Sequence, residues 1–252
     1  MKLTILGSGY FIPTKTRNNS GYLLNIEDEL ILLDSGSGVL HQYLKTNHSI
    51  WDISKIFYSH LHLDHIADLL PILFTRKYSE PENREDTELL IFAHEDFSAI
   101  IQGYEKMFGK WILKEKFPYS FRPIKPGNYS FTSFELKVFQ GNHTPQSLMY
   151  CFKDSTEKSL LYAGDTDLSD ELILASQGVD LLVVECSCSD TAPEQGHMNP
   201  TKITTLIQEA KPKITLLTHL SPENDTDELL QKIKIPADCI VKIAEDFQIM
   251  EI

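Results

Sequence analysis

Short runs of apolar residues separated by turn-forming residues dominate the hydrophobic pattern of this chain. Runs of about four to eight residues rich in Leu, Ile, Val, Phe and Tyr predict β-strands. The predicted strands are Leu3–Leu6, Gly21–Ile26, Leu30–Asp34, Lys55–Ser59, Glu88–Ala93, Phe131–Phe139, Leu148–Lys153, Ser159–Ala163, Leu181–Glu185, Ile214–Thr218 and Ile240–Ile249. The early strands are joined only by turns, so we expect them to form a meander.

From Ser54 onward, helical patterns alternate with these strands. The predicted helices are Ala67–Tyr78, Glu95–Phe108, Ser169–Ala175, Pro200–Ala210 and Thr226–Ile233. In the fourth of these, apolar residues repeat with the period of an amphipathic helix and Pro200 occupies the first turn. The segment Lys110–Tyr129, rich in Pro, Gly, Lys and aromatic residues, is interpreted as a loop. Strands that outnumber helices favour two sheets covered by helices.

Length and composition indicate one globular unit. A chain of 252 residues suits a single domain over residues 1–252. With 23 basic and 36 acidic residues the net charge is −13, which argues against tight binding to long nucleic acids through their phosphates. No apolar run is long enough to cross a bilayer, and the N-terminal residues lack a secretory pattern. We therefore expect a cytosolic protein without membrane attachment.

The four cysteines do not predict a disulfide framework in a chain of this length. Cys151 and Cys239 lie in apolar stretches and are interpreted as buried small side chains. Cys186 and Cys188 are closely spaced, but the chain lacks the second cysteine pair of a zinc site. We predict free thiols at all four positions.

Residues 60–65, with the sequence HLHLDH, place four potential metal ligands directly after a strand pattern. Imidazole and carboxylate groups are natural ligands for zinc and similar divalent ions. Alternate side chains of an extended segment share a face, so His60 and His62 can bind one ion. Asp64 and His65 lie where the chain leaves the strand and can reach a second ion. A solvated histidine-rich loop is the alternative, but the dense spacing favours a dinuclear metal site.

This motif resembles the His-x-His-x-Asp-His signature of the metallo-β-lactamase superfamily. Four companion motifs occur in that superfamily's order, namely residues 32–36 (LLDSG), 141–145 (GNHTP), 163–166 (AGDT) and 216–222 (LLTHLSP). The resemblance extends from Leu3 to Pro222. It implies an α/β fold, specifically a four-layer αββα sandwich with two metal ions at one edge.

The resemblance also implies a complete ligand set. One ion would be bound by His60, His62 and His143. The other would be bound by Asp64, His65 and His219, and Asp165 would bridge the two ions. His and Asp ligands accept both zinc and manganese, and zinc is our first expectation.

Within the superfamily, the chain resembles the branch of ribonuclease Z and small phosphodiesterases. The matching segments are residues 6–9 (LGSG), 13–14 (PT), 17–20 (RNNS) and 196–199 (GHMN). Glu185 matches the glutamate of the His-Glu-Ala-Thr motif in that branch. Asn199 stands where ribonuclease Z relatives carry threonine, which weakens the assignment to that enzyme in particular.

Phosphodiester hydrolysis is the chemistry that this resemblance implies. A hydroxide that bridges two close divalent ions attacks the phosphorus, and both ions stabilise the developing charge. His197 is the candidate proton donor to the leaving oxygen, and Glu185 can orient it and raise its pKa. Asp64 completes the catalytic candidates. Asp34 is a candidate hydrogen-bond partner for a ligand imidazole, or else a polar residue that closes a turn.

The segment between the third histidine and the bridging aspartate indicates the size of the substrate. In ribonuclease Z enzymes it carries an arm that clamps tRNA, whereas only about twenty residues separate His143 from Asp165, enough for a hairpin. We therefore predict a small or cyclic phosphodiester as substrate. A ribonuclease Z-like tRNA 3′ endonuclease is the alternative, because some relatives obtain the arm from a partner subunit. A homodimer is expected from the resemblance alone.

Two further alternatives remain. A glyoxalase II-type thioesterase shares the ligand set but resembles residues 17–20 and 196–199 less. A non-catalytic metal-binding scaffold would be expected to have lost ligands, and none is missing here. A β-lactamase is disfavoured because those enzymes usually carry cysteine in place of Asp165.

Overall fold

Two β-sheets packed face to face form the centre of the computed structural model, which describes residues 1–79, 88–109, 119–226 and 228–252. Sheet 1 contains, in spatial order, β14 (Ile249–Glu251), β1 (Lys2–Gly7), β2 (Gly21–Ile26), β3 (Glu29–Leu33), β4 (Ile53–Phe57), β5 (Leu89–Ala93) and β6 (Tyr119–Pro123). Sheet 2 contains, in spatial order, β13 (Ile240–Ile243), β12 (Ile214–Thr218), β11 (Leu181–Glu185), β10 (Ser159–Tyr162), β9 (Leu148–Lys153), β8 (Glu135–Gln140) and β7 (Gly127–Ser130). The helices are α1 (Val39–Tyr43), α2 (Leu63–Ile66), α3 (Leu69–Tyr78), α4 (Phe97–Phe108), α5 (Asp170–Ser176) and α6 (Pro200–Ala210).

Both sheets are mixed, and each contains a parallel set of strands. The strands β1 to β3 form the antiparallel meander that the sequence predicts, and β3 to β6 are parallel. In sheet 2, β10 to β13 are parallel. The carboxyl ends of parallel strands meet at one edge, so residues that follow β4, β10 and β12 gather there. We call this the carboxyl edge.

Three apolar layers explain why the strand sequences are almost continuously hydrophobic. All five residues of β11 are buried. Leu181 and Val183 face the layer between the sheets, whereas Leu182 and Val184 face α5 and α6. A similar outer layer joins sheet 1 to α1, α3 and α4. This arrangement confirms the predicted αββα sandwich.

The helices follow the predicted pattern closely where capping signals are strong. Helix α6 begins and ends at the predicted residues, and the Asn199 side chain accepts a hydrogen bond of 2.9 Å from the Lys202 amide. Ser169 caps α5 by accepting a hydrogen bond of 3.1 Å from the Leu172 amide. Helices α1 and α2 are only five and four residues long, too short for a periodic signal, and were not predicted.

Three predicted elements are wrong. The segment Lys110–Tyr129, predicted as a loop, contains β6 and the start of β7, while residues 110–118 lie outside the described residues. These strands are largely exposed, so they lack the apolar signature of a core strand. The predicted strand Ile240–Ile249 is two strands in different sheets, separated by a turn in which the Gln248 amide donates to the Glu245 carbonyl. In place of the helix Thr226–Ile233, the described residues contain a 3₁₀ turn at Leu229–Lys232.

Across the described ranges, no helix has both the length and the apolar character needed to cross a bilayer. The single-domain extent of residues 1–252 and the cytosolic location stay predictions.

Candidate metal centre

All seven predicted ligands gather at the carboxyl edge, and both sheets contribute. His60, His62, Asp64 and His65 lie in the turn after β4 and in α2. The other three follow strands of sheet 2, with His143 after β8, Asp165 after β10 and His219 after β12. The Nε2 atom of His143 is 3.1 Å from Nδ1 of His62, although the two residues are far apart in the chain.

The ligand atoms form the two sets that the family resemblance implies. His60, His62 and His143 each offer an atom within 4.8 Å of the others, and so do Asp64, His65 and His219. Asp165 lies between the sets. Its carboxylate oxygens are 3.9 Å from Nε2 of His60, 3.4 Å from Nε2 of His65 and 3.6 Å from Nε2 of His219. Asp64 Oδ2 is 3.2 Å from Nε2 of His219, which groups Asp64 with the second set.

Unpartnered polar atoms test whether these residues fit divalent ions. In the described part of the chain, His60 Nε2, His65 Nε2 and Asp165 Oδ1 are buried without a hydrogen-bond partner. A buried polar atom that lacks a partner costs about 1–3 kcal/mol, so several such atoms facing one another indicate a missing ligand. Their chemistry, imidazole nitrogen with carboxylate oxygen, suits zinc or manganese. The candidate ligand atoms therefore fit divalent ions such as zinc or manganese.

The charge states of two central groups favour metal binding. Burial, together with the neighbouring His65, holds the pKa of His60 well below its usual value, so its ring is neutral and has a lone pair available. Burial would raise the pKa of Asp165, but His219 and His65 outweigh it and hold this pKa well below its usual range. Asp165 is therefore an ionised carboxylate surrounded by imidazoles.

Asp34 orients one of these imidazoles, that of His65, which agrees with its predicted role as the hydrogen-bond partner of a ligand imidazole. Its carboxylate accepts hydrogen bonds of 2.7 Å from Nδ1 of His65 and from both the amide and the hydroxyl of Ser59. The φ angle of Asp34 is 55°, a left-handed conformation that aspartate tolerates at a turn. Asp34 therefore closes the turn and also leaves Nε2 of His65 facing Asp165.

Replacing Asp34 with asparagine is expected to weaken the binding of divalent ions by about 10–100-fold, the usual effect of losing the partner of a ligand imidazole. An amide cannot accept from all these donors at once. Asp154→Asn is the control, because Asp154 lies in the β9–β10 turn, where its side chain accepts from Thr156 and the Lys158 amide. Competition with a chromophoric chelator measures the affinity. Equal affinities in the two variants would contradict the orienting role.

His197 and Glu185 form the predicted pair beside the ligand sets. Nδ1 of His197 is 2.8 Å from Oε1 of the fully buried Glu185, which leaves Nε2 as the ring nitrogen that can donate toward the site. Burial lowers the pKa of His197, but the hydrogen bond and charge of Glu185 outweigh it and raise the pKa to about 9. The His197 ring lies 4.6 Å from that of His143. His197 is therefore protonated near neutral pH and close to the candidate ligands.

The loop of His197 is held by contacts of Asp167 with Gly196 and Lys202, which we call the Asp167–Lys202 clasp. The sequence pattern did not predict these contacts. One oxygen of Asp167 accepts a hydrogen bond of 3.1 Å from the Gly196 amide, and the other is 2.5 Å from the Lys202 ammonium. Lys202 also donates to the His197 carbonyl at 2.7 Å. Asp167 lies two residues after Asp165, so the clasp joins the two loops. No local signal reveals it, because the contact depends on how α6 packs.

Two other predictions, about the His143–Asp165 segment and the cysteines, are confirmed. The segment between His143 and Asp165 contains the β9–β10 hairpin, which turns at residues 154–158. All four cysteines are free, and burial raises the pKa of the Cys186 thiol. Neither Cys186 nor Cys188 belongs to a candidate metal group among the described residues.

The fold and the site define a metal-dependent hydrolase of the metallo-β-lactamase superfamily. Residues 1–235 match the family model described as anti-Pycsar protein Apyc1, and the chain belongs to this family. It is similar to the probable metallo-hydrolase YhfI of Bacillus subtilis, at 26% identity over 97% of each chain. A crystal structure of YhfI from the same organism superposes with a TM-score of 0.85 over 99% of this chain and 98% of that one, at 26% identity.

The chain is also similar to enzymes named ribonuclease Z. The protein of that name from Methanosarcina acetivorans is 26% identical over 100% of this chain and 98% of its own. The crystal structure of the short form of human tRNase Z has a TM-score of 0.78 and 24% identity, and covers 100% of this chain and 99% of its own. This structural likeness shows a shared fold.

Proposed function

We propose that this hydrolase cleaves small or cyclic phosphodiesters. The observation that carries the proposal is the arrangement of two ligand sets around Asp165 with His197, hydrogen-bonded to the buried Glu185, beside them. The first set is His60, His62 and His143, and the second is Asp64, His65 and His219. Zinc is the proposed metal in both sets, with manganese as the alternative.

Divalent ions held by these residues would make an attacking water more acidic and stabilise charge on the phosphoryl oxygens. The remaining steps belong to the side chains. His197 donates the Nε2 proton to the leaving oxygen as the bond between phosphorus and that oxygen breaks. Glu185 accepts from Nδ1 of His197 and keeps Nε2 directed at the substrate. Asp34 keeps the ring of His65 in its orientation.

The preference for small substrates is supported by the short hairpin and by charge. Strands β9 and β10 and their turn occupy the segment between His143 and Asp165, where ribonuclease Z enzymes carry their tRNA-clamping arm. The net charge of −13 disfavours a long polyanion. A ribonuclease Z-like activity on RNA is the second candidate, favoured by the similarity to enzymes of that name over the whole chain. A homodimer stays a prediction.

The test compares substrates with the same purified protein loaded with zinc or manganese. We expect kcat/KM for cyclic nucleotides or bis(p-nitrophenyl) phosphate to exceed that for precursor tRNA by more than about tenfold. Elemental analysis identifies the metal and the number of ions. Site-specific trimming of the tRNA 3′ end, with little hydrolysis of small diesters, would favour the second candidate instead.

A further inference from the structure

Each candidate ligand set combines residues from both sheets. His60 and His62 follow a strand of sheet 1, but His143 follows a strand of sheet 2. In the second set, Asp64 and His65 follow a strand of sheet 1, whereas His219 follows a strand of sheet 2. The distances within each set therefore depend on how far apart the sheets stand at the carboxyl edge. Ligand distances must be correct to about 0.2 Å, whereas apolar packing between sheets is not directional.

Three tyrosine hydroxyls form hydrogen bonds across the gap between the sheets at this edge. The hydroxyls of Tyr22 on β2 and Thr218 on β12 share a bond of 2.6 Å. Tyr150 on β9 donates to the Tyr58 carbonyl, which follows β4, at 2.7 Å. Tyr162 on β10 donates to Oδ2 of Asp34, which follows β3, at 2.5 Å.

The partner of each tyrosine hydroxyl is close to a candidate ligand, either in the chain or through a hydrogen bond. Thr218 directly precedes His219, and the Tyr58 carbonyl lies two residues before His60. Asp34 accepts from Nδ1 of His65 at 2.7 Å. The bonds thus reach one ligand of sheet 2 and two ligands of sheet 1.

The three hydroxyls are buried in an apolar layer, where a polar group is costly unless it forms a hydrogen bond. Tyr22, Tyr150 and Tyr162 are 1%, 0% and 1% exposed and belong to the apolar layer between the sheets. Other inward residues of the same strands are Leu24, Ile26, Phe152 and Leu160. Phenylalanine would fill nearly the same space without the cost of burying a hydroxyl. Burial also raises the pKa of all three phenols, so they remain protonated.

We propose that Tyr22, Tyr150 and Tyr162 are positioning residues that set the spacing of the two sheets at the carboxyl edge, and with it the geometry of both metal-binding sets. This inference rests on the ligand set of the proposed function. Tyr162 acts most directly, because it holds Asp34 and thereby His65. Tyr22 and Tyr150 act through the backbone positions of His219 and His60.

The experiment replaces each tyrosine with phenylalanine, singly and together. Tyr162→Phe is expected to weaken Zn²⁺ binding by about 10–100-fold, measured by competition with a chromophoric chelator. Tyr22→Phe and Tyr150→Phe should have smaller effects, and the triple variant the largest. The visible absorption spectrum of the Co²⁺-loaded protein should change in position or intensity, because it reports ligand geometry directly.

Tyr43→Phe is the matched control. Tyr43 is also buried, and its hydroxyl donates to the Ser49 carbonyl at 2.7 Å, but it lies on the outer face of sheet 1. It should lower the thermal unfolding temperature while leaving Zn²⁺ affinity and the Co²⁺ spectrum unchanged. If the triple variant does not fold, the three single variants provide the same comparison.

The outcomes separate this inference from the proposed function. Single and triple variants that unfold at lower temperature but match the wild type in Zn²⁺ affinity and Co²⁺ spectrum would overturn the positioning role alone. A wild-type protein that binds no divalent ion would overturn the ligand set, and this inference with it. Neither the Zn²⁺ affinity nor the Co²⁺ spectrum is measured with a substrate, so the identity of the substrate does not affect the result.

Discussion

Replacing Asp165 with alanine is expected to abolish hydrolysis of every substrate and to weaken the binding of divalent ions at the same time. Asp165 is 4% exposed and lies between the two ligand sets, within 3.9 Å of His60, His65 and His219. Without its negative charge, these imidazoles would surround two cations with no carboxylate between them. Metal ions contribute several kcal/mol to such reactions, so the rate should fall by more than about 10³-fold.

Asp167→Asn is the control for this variant. Asp167 is two residues away and also hydrogen-bonded, but its carboxylate binds Lys202 and the Gly196 amide instead of facing the ligand sets. Its metal content should match that of the wild type. Elemental analysis and calorimetric titration with Zn²⁺ measure binding, and kcat/KM measures activity. Full occupancy of two ions in Asp165→Ala would argue against the bridging position.

Replacing His197 with alanine is expected to lower turnover by about 10²–10⁴-fold while both ions remain bound, the usual contribution of a general acid. The loss should be largest for substrates with a poor leaving group, such as a cyclic nucleotide. It should shrink for p-nitrophenyl diesters, because p-nitrophenolate departs without a proton. The measurement is kcat for the two substrate types, with metal content determined on the same preparations.

His94→Ala provides the comparison for a histidine at the same edge, since His94 follows β5 and is outside the proposed ligand set. It should retain the leaving-group dependence of the wild type. An equal loss for good and poor leaving groups in His197→Ala would mean that this residue positions the phosphate. A loss of bound metal would instead make His197 a ligand, since one of its ring nitrogens lies within 4.8 Å of atoms of His143 and Asp165.

The sequence by itself determined the features whose causes are local. Residues 60–65 contain four of the seven ligands within one turn, so their proximity needs no knowledge of the fold. The bounds of α6 follow from Pro200, the Asn199 cap and apolar periodicity, all read within one segment. Most core strands are visible because burial on both faces makes them continuously apolar. Spacing indicated that His60 and His62 share one ion and that Asp64 and His65 reach another. The assignment of His143, Asp165 and His219 came from the family resemblance.

Only the tertiary structure decided what joins distant segments. Periodicity shows that a segment is buried but not which partner buries it, so Ile240–Ile249 was predicted as one strand although its two ends pair in different sheets. The exposed strands β6 and β7 depend on pairing with a neighbour and carry little apolar signal of their own. The same reason applies to the Asp167–Lys202 clasp and to the tyrosine hydroxyls between the sheets. Their hydrogen bonds are set by the packing of whole layers, and a buried tyrosine has the same sequence signature whether or not its hydroxyl reaches a metal-binding edge.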